Sequence, residues 1–156
     1  MNRLTAGTTA PDFELPDQNG VMTRLSTFQG KKVLVYFYPK AMTPGCTTQA
    51  CALRDSKSEL DQRNVVVLGI SPDASEKLKK FEARDELNFT LLGDEDHQVA
   101  DAYGVWGPKK FMGKEYDGIH RISFLIDEQG VIAHVFDDFK TSNHHDVVLN
   151  WLKENA

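Results

Sequence analysis

Two patterns of apolar residues alternate along the chain: short continuous runs and stripes at helical spacing. Val33-Leu34-Val35-Tyr36-Phe37-Tyr38 is a run of β-branched, aromatic and apolar residues that suits a strand buried on both faces. Pro39 ends it. Residues 65–70 form a second run of this type, and residues 88–92 a third candidate strand. After the break at Pro44-Gly45, small or apolar residues recur at Cys46, Ala50, Leu53 and Leu60, a helical stripe. Asp73 with Glu76 reads as an N-cap pair opening a helix that carries Ala74, Leu78 and Phe81 on one face. Residues 96–103 form a short helix ended by Gly104, and a last helix starts near Asn143 with Val148, Trp151 and Leu152 inward. Residues 13–15 and 21–25 flank Asn19-Gly20, a strong hairpin signal. Residues 121–126 and 131–136 flank Asp127-Glu128-Gln129-Gly130 as a second hairpin. Strands alternating with helices, closed by a hairpin and a helix, predict an α/β fold. Its mixed central sheet is covered by helices on both faces and preceded by an N-terminal β-hairpin.

Composition adds bounds to that picture. A chain of 156 residues suits one domain over residues 1–156, exposing roughly 8,000 Å² when folded against roughly 25,000 Å² unfolded. A core of that size needs no disulfide or metal staples. The formal charge of −5, with no run of like charges, argues against nucleic acid or an anionic membrane as partner. No stretch reaches the ~18 apolar residues of a membrane helix. The first twenty residues contain no apolar leader, so the cytosol is the expected location. There, two cysteines read as reactive or inert thiols rather than as a structural bridge.

The segment from Pro39 to Cys46 links a buried strand to a helix, at the carboxyl end of a strand, where α/β folds concentrate function. Cys46 falls in the first helical turn. Free backbone N–H groups and the positive end of the helix dipole favour an anion there, which for a cysteine is the thiolate. Thr43 can lend a hydroxyl to the same small space, and Pro39 and Pro44 restrict the loop. Taken alone, Cys46 reads equally well as a small buried hydrophobe at a strand–helix junction.

Cys51 sharpens the contrast. Cys-x4-Cys lies at the edge of common zinc-ligand spacing, with no nearby His or Cys to complete four ligands. Nor is it a Cys-x-x-Cys reductant motif. On an ideal helix, Cα atoms five residues apart are separated by ~8.7 Å, whereas a disulfide needs about 4.4–6.8 Å. If the two ever pair, the first turns of the helix must unwind. Such an element fits a two-step reaction: a thiolate attacks a peroxide O–O bond and becomes a sulfenic acid, then a nearby thiol condenses with it and releases water. The departing oxygen needs a cation, and Arg121, at the start of a buried-type strand, is the candidate. Pairing of Arg121 with a surface carboxylate such as Asp117 is the equal alternative.

Pro39-x-x-x-Thr43-x-x-Cys46 resembles the peroxiredoxin active-site signature. Thr43-Pro44-Gly45-Cys46 with Cys51 is similar to the branch called bacterioferritin comigratory protein or peroxiredoxin Q. The likeness extends to Ala10-Pro11-Asp12-Phe13, Leu68-Gly69-Ile70-Ser71, Tyr103-Gly104-Val105 and Arg121-Ile122-Ser123-Phe124-Leu125-Ile126-Asp127. The resemblance implies a thioredoxin-like fold and thiol-dependent reduction of hydrogen peroxide and organic hydroperoxides; the residues themselves call for no metal or organic cofactor. It implies that Cys46 is the peroxidatic cysteine, shielded by Pro39, with Thr43 bonding the peroxide and Arg121 stabilising thiolate and transition state. Cys51 would then be the resolving cysteine in the same chain, its disulfide reduced by thioredoxin or a glutaredoxin-type donor, and the protein a cytoplasmic monomer. The chain departs from the pattern at Gln49, where many relatives carry Glu, and it has no cysteine beyond Cys51. A rival class is a non-catalytic redox switch, in which the same disulfide exposes a binding surface.

Other features carry blander readings. His97, His120 and His134 are scattered, and His144-His145 read as a solvated helix start, so no metal site is expected. Residues 104–108 with Phe111-Met112 either wall the thiolate or complete a core, and Lys109-Lys110 read as solvated surface. Asp94-Glu95-Asp96 favour a helix N-terminus, and no glycine-rich phosphate loop is present.

Overall fold

The computed structural model describes residues 4–155. In chain order its elements are β1 (Glu14–Pro16), β2 (Met22–Arg24), a single 3₁₀ turn (Leu25–Phe28) and β3 (Lys32–Phe37). Then follow α1 (Pro44–Asp55), α2 (Lys57–Gln62), β4 (Val65–Ser71), α3 (Ser75–Asp85), β5 (Thr90–Gly93) and α4 (Gln98–Ala102). The chain continues with β6 (Trp106–Phe111), β7 (Lys114–Ile119), β8 (Ser123–Ile126), β9 (Ile132–Phe136) and α5 (His144–Glu154).

Five strands form the central sheet in the order β5-β4-β3-β8-β9. β3, β4 and β5 run parallel, connected through helices, whereas β8 and β9 are antiparallel. Side chains alternate along β3, so it feeds two separate cores. Leu34 and Tyr36 pack with Cys46, Ala50, Leu53, Leu78, Phe81 and Val148 under α1, α3 and α5. Val33, Val35 and Phe37 pack on the opposite face with Phe13, Leu15, Val99, Tyr103 and Phe124. The expected mixed sheet, covered on both faces and preceded by the β1–β2 hairpin, is the observed architecture. The accessible surface, 7880 Å² for the described residues, agrees with the area that chain length predicts.

Three local expectations give way to tertiary context. Asp73 is not an N-cap: Ala74 holds that position, without a side-chain cap bond, and the Asp73 carboxylate turns into the loop before α1. The stripe through Leu60 is broken at Ser56 into α1 and α2. His144 is fully buried rather than solvated, because α5 lays its first turn against β8 and Ser123 Oγ meets His144 Nε2 at 2.8 Å.

Residues 106–119 form a hairpin that the apolar pattern did not predict. Met112 (φ 51°) and Gly113 (φ 80°) make its two-residue turn, with both central residues left-handed as such turns require. Phe111 and Met112 are 65% and 87% exposed at the tip, so they neither wall the thiol nor complete a core. At the base of the hairpin, Trp106 stacks on His97 at 3.9 Å.

Candidate active site

Three chain segments meet at the carboxyl end of β3. The first is the loop after Tyr38, which enters α1 with Thr43 as N-cap and Pro44 in the first turn. Thr47 N–H donates to Thr43 C=O (2.8 Å), the first helical bond, so the N–H groups of Gly45 and Cys46 have no intrahelical carbonyl. Thr43 Oγ1 donates to Lys40 C=O (3.0 Å), which commits its one proton and leaves lone pairs to accept. Pro39 is half-buried at the head of the loop, and Met42 stands at φ 67°, a left-handed value that a non-glycine residue adopts at a cost. Asp73 holds the loop in this shape. Its Oδ2 accepts from Ala41 N–H and from Ser71 Oγ, both at 2.8 Å, and Lys77 approaches Oδ1 at 3.4 Å.

The second segment is the start of β8. Because β8 runs antiparallel to β3 with Ser123 opposite Tyr36, residues just before Ser123 lie at the end of β3 where Cys46 sits. Arg121 is therefore brought to the thiol by sheet register. Arg121 Nη2 donates to Cys46 Sγ (3.1 Å) and Nη1 to Gln49 Oε1 (3.0 Å). Asp117 is exposed on β7 opposite Pro108, and the guanidinium bonds the thiol and the amide instead. Cys46 is 1% exposed. A Cβ on Gly45 would stand 3.2 Å from Arg121 Nη2, so glycine there lets the guanidinium close on the helix start. The site thus aims a permanent cation and the positive end of a helix at one sulfur, an arrangement that stabilises negative charge on it.

The β6–β7 hairpin is the third segment. Its Lys109 is half-buried rather than solvated, and Nζ donates to Ile119 C=O (2.8 Å), two residues before Arg121. Burial and the neighbouring Arg121 charge lower the Lys109 pKa, while Cys46 pulls it the other way. Beneath the site, burial foremost, with help from His145 and Arg121, pushes the pKa of His144 down to about 3, so this histidine is neutral.

Cys51 lies on the same helix but about 140° around its axis from Cys46. It is half-buried, and both cysteines are free thiols. Burial pushes the Cys51 thiol up; Arg54 opposes this, while Asp85 and Asp55 reinforce it. Cys46, Gln49 and Arg121 are therefore in direct contact, Thr43 and Pro39 frame them on one loop, and Cys51 faces elsewhere. Among the described residues no three His, Cys, Asp or Glu side chains are grouped to hold a metal ion, and no helix is long and apolar enough to cross a membrane. Asp73 and Lys109 were not legible as site residues, since their partners lie on other segments.

Comparison with known proteins bears on the same residues. Residues 6–135 match the model of the AhpC/TSA family. The chain is 69% identical to peroxiredoxin Bcp of Escherichia coli over 156 residues, all of both chains. It is 45% identical to peroxiredoxin Bcp of Bacillus subtilis over 97% of this chain and 96% of that one. A solved structure of the bacterioferritin comigratory protein of Xanthomonas campestris, described for its alkyl peroxide reduction activity, superposes with a TM-score of 0.89. The two are 31% identical, over 96% of this chain and 98% of that one. With a family match over most of its length and this identity across the whole chain, the chain belongs to the AhpC/TSA family as a peroxiredoxin of the bacterioferritin comigratory protein and peroxiredoxin Q branch, a thiol peroxidase with two cysteines.

Proposed function

We propose that Cys46 is the peroxidatic cysteine and Cys51 its resolving partner in the same chain. The Cys46 thiolate attacks one oxygen of ROOH; the O–O bond breaks, ROH leaves with a proton, and Cys46 becomes a sulfenic acid. Thr43 Oγ1, its own proton committed to Lys40 C=O, accepts from the peroxide O–H and orients it. Arg121 stabilises the thiolate and the charge growing on the departing oxygen, Gln49 keeps its fork in place, and Pro39 shields the sulfur. The Cys51 thiol then condenses with the sulfenic acid, forming the Cys46–Cys51 bond and water. A dithiol donor of thioredoxin or glutaredoxin type returns both thiols by exchange.

The observation that carries this reading is the 3.1 Å bond from Arg121 to Cys46 Sγ at a helix start. Burial of Cys51 supports its part, because a thiol held above its ordinary pKa does not compete with Cys46 for peroxide. The substrate range is hydrogen peroxide and organic hydroperoxides, which the alkyl peroxide reduction ascribed to the Xanthomonas campestris relative favours. We read the chain further as one domain, monomeric and cytosolic, working without metal or organic cofactor; sedimentation tests the monomer.

Intact mass and a thiol count after one equivalent of hydrogen peroxide, without reductant, test the mechanism. Loss of two hydrogens and of both thiols, with no covalent dimer, is expected. Gain of oxygen with one thiol left would keep Cys46 as the reactive site and remove Cys51 from the cycle.

A further inference from the structure

Thr47, Cys51 and Arg54 follow one another at i, i+4 and i+7 and so form one stripe along α1. That stripe faces the C-terminal end of α3. One turn before Cys51, Thr47 Oγ1 accepts from Arg84 Nη2 (2.8 Å). Arg84 is itself braced, by Asp85 Oδ2 (2.9 Å from Nε) and by the ring of Phe81 beneath its guanidinium. One turn after Cys51, Arg54 Nη1 donates to Asp85 C=O (2.5 Å), and Arg54 C=O accepts from Asn88 Nδ2 (3.2 Å). Cys51 is bracketed by contacts on both sides, reaching the C-terminal end of α3 and, through Asn88, the loop just after it.

The two sides differ in strength and in place. Arg54 sets a cation on a free carbonyl at the end of α3, in a partly buried setting, where dipole and charge-assisted bonding both favour it. The Arg84–Thr47 bond is solvent-exposed and single, and such contacts are weak. Thr47 also lies between Cys46 and Cys51, whereas Arg54 lies beyond them. Closing ~8.7 Å between the Cα atoms to disulfide range must unwind the turn that carries Thr47 and need not disturb Arg54.

We propose that the end of α3 divides α1 into a releasable front and a held rear, and that Arg84 is the positioning residue whose bond to Thr47 sets how fast Cys51 reaches an oxidised Cys46. This rests on the Cys46–Cys51 reading given above. With the latch closed, the Cys46 sulfenic acid meets a second peroxide: ROOH gives up an oxygen, ROH leaves, and a sulfinic acid results. With the latch open, the same sulfenic acid loses water to Cys51. Arg84 therefore governs the division of one intermediate between two fates without touching the first step.

The test oxidises the reduced full chain with excess hydrogen peroxide, without reductant, and follows it by rapid quench and intact mass. Arg84→Met keeps the stem over Phe81 and removes the donor; Thr47→Val removes the acceptor. Each is expected to speed disulfide formation about two- to fivefold, the range of one exposed charged contact, and to lower the sulfinic fraction by a similar factor. The double variant should go no further than either single one, and Arg84→Lys, which keeps one donor, should fall between. The rate of the first peroxide reaction and the far-ultraviolet circular dichroism should not move, which separates a latch from general damage to the fold. Unchanged disulfide rates in both single variants, or additive effects in the double, would overturn the latch while leaving the disulfide mechanism standing. A wild-type chain that gains oxygen and keeps the Cys51 thiol would overturn the disulfide reading itself, and the latch with it.

Discussion

The inner and outer faces of α1 are held by different kinds of force. On the inner face Cys46, Gln49, Ala50 and Leu53 are buried, and the thiol and amide are tied to Arg121. On the outer face Thr47, Cys51 and Arg54 keep partial exposure and are tied to α3 by side-chain bonds at the surface. Burial of an apolar side chain contributes about 1.5–3 kcal/mol, an exposed polar pair about 0.2–1 kcal/mol. One helix thus presents one thiol that is hard to displace and a second that is easy to release. The two-step cycle proposed above needs that asymmetry, because its first step rewards a rigid site and its second requires motion.

Removing the sulfurs breaks the comparison most completely. Cys46→Ser should abolish peroxide consumption, read as loss of donor oxidation in a coupled assay. Cys51→Ser should keep the first reaction and stop turnover with a dithiol donor, leaving a sulfenic or sulfinic product in the mass spectrum. Arg121→Met comes next. It removes both inner-face bonds, and loss of a preorganised charge donor of this kind costs about 10²–10³ in rate. Stopped-flow measurement of the peroxide reaction checks it, and a loss below tenfold would mean that the helix start alone stabilises the thiolate.

Asp73→Ala has a smaller and more mixed effect. It leaves the buried Ala41 N–H and Ser71 Oγ without their acceptor, which costs about 1–3 kcal/mol of stability. Because the loop it holds carries Thr43, the peroxide rate should fall by roughly tenfold as well. Urea unfolding and the second-order rate, measured on the same preparation, read the two losses separately. A stability loss with an unchanged rate would show that α1 alone positions the thiol.

The inner face was more legible from sequence than the pieces that hold it. The apolar run of β3, the proline that ends it and the stripe on α1 are local signals, and by themselves they put Cys46 in a helical first turn. Arg121 was a candidate from its place at a strand start, against pairing with Asp117, and Gln49 entered through the resemblance; the antiparallel register of β8 supplies the reason they meet. Asp73 was misread because an acidic residue before a helix is the same local signal whether it caps that helix or reaches a loop 32 residues away. Lys109 rides on a hairpin that is largely exposed and polar, so no alternation marked its strands. His144 looked solvated because a histidine pair at a helix start does not reveal that β8 waits beneath one of them.

That histidine gives the smallest effect and a pH test of the inner face alone. In the folded chain burial holds its pKa down to about 3, against about 6.5 when unfolded. Between those values the unfolded state binds a proton that the folded state does not, so stability falls as pH drops below about 6.5 and stops falling, for this group, near pH 3. The slope approaches about 1.4 kcal/mol per pH unit within that window. His144→Gln keeps a polar partner for Ser123 Oγ and removes the titration. It should be less stable at pH 7, yet its urea midpoint should fall less steeply between pH 6 and 4 (about one proton less in the linkage). The outer contacts of Thr47 with Arg84 and of Arg54 with Asp85 C=O contain no histidine. Acidification should therefore loosen the packing of α5 under Arg121 before it touches the Arg84–Thr47 bond. Hydrogen exchange resolved along the chain would read this as earlier loss of protection in α5 than in the rear of α1, and equal loss in both would mean that the two faces of α1 are one cooperative unit.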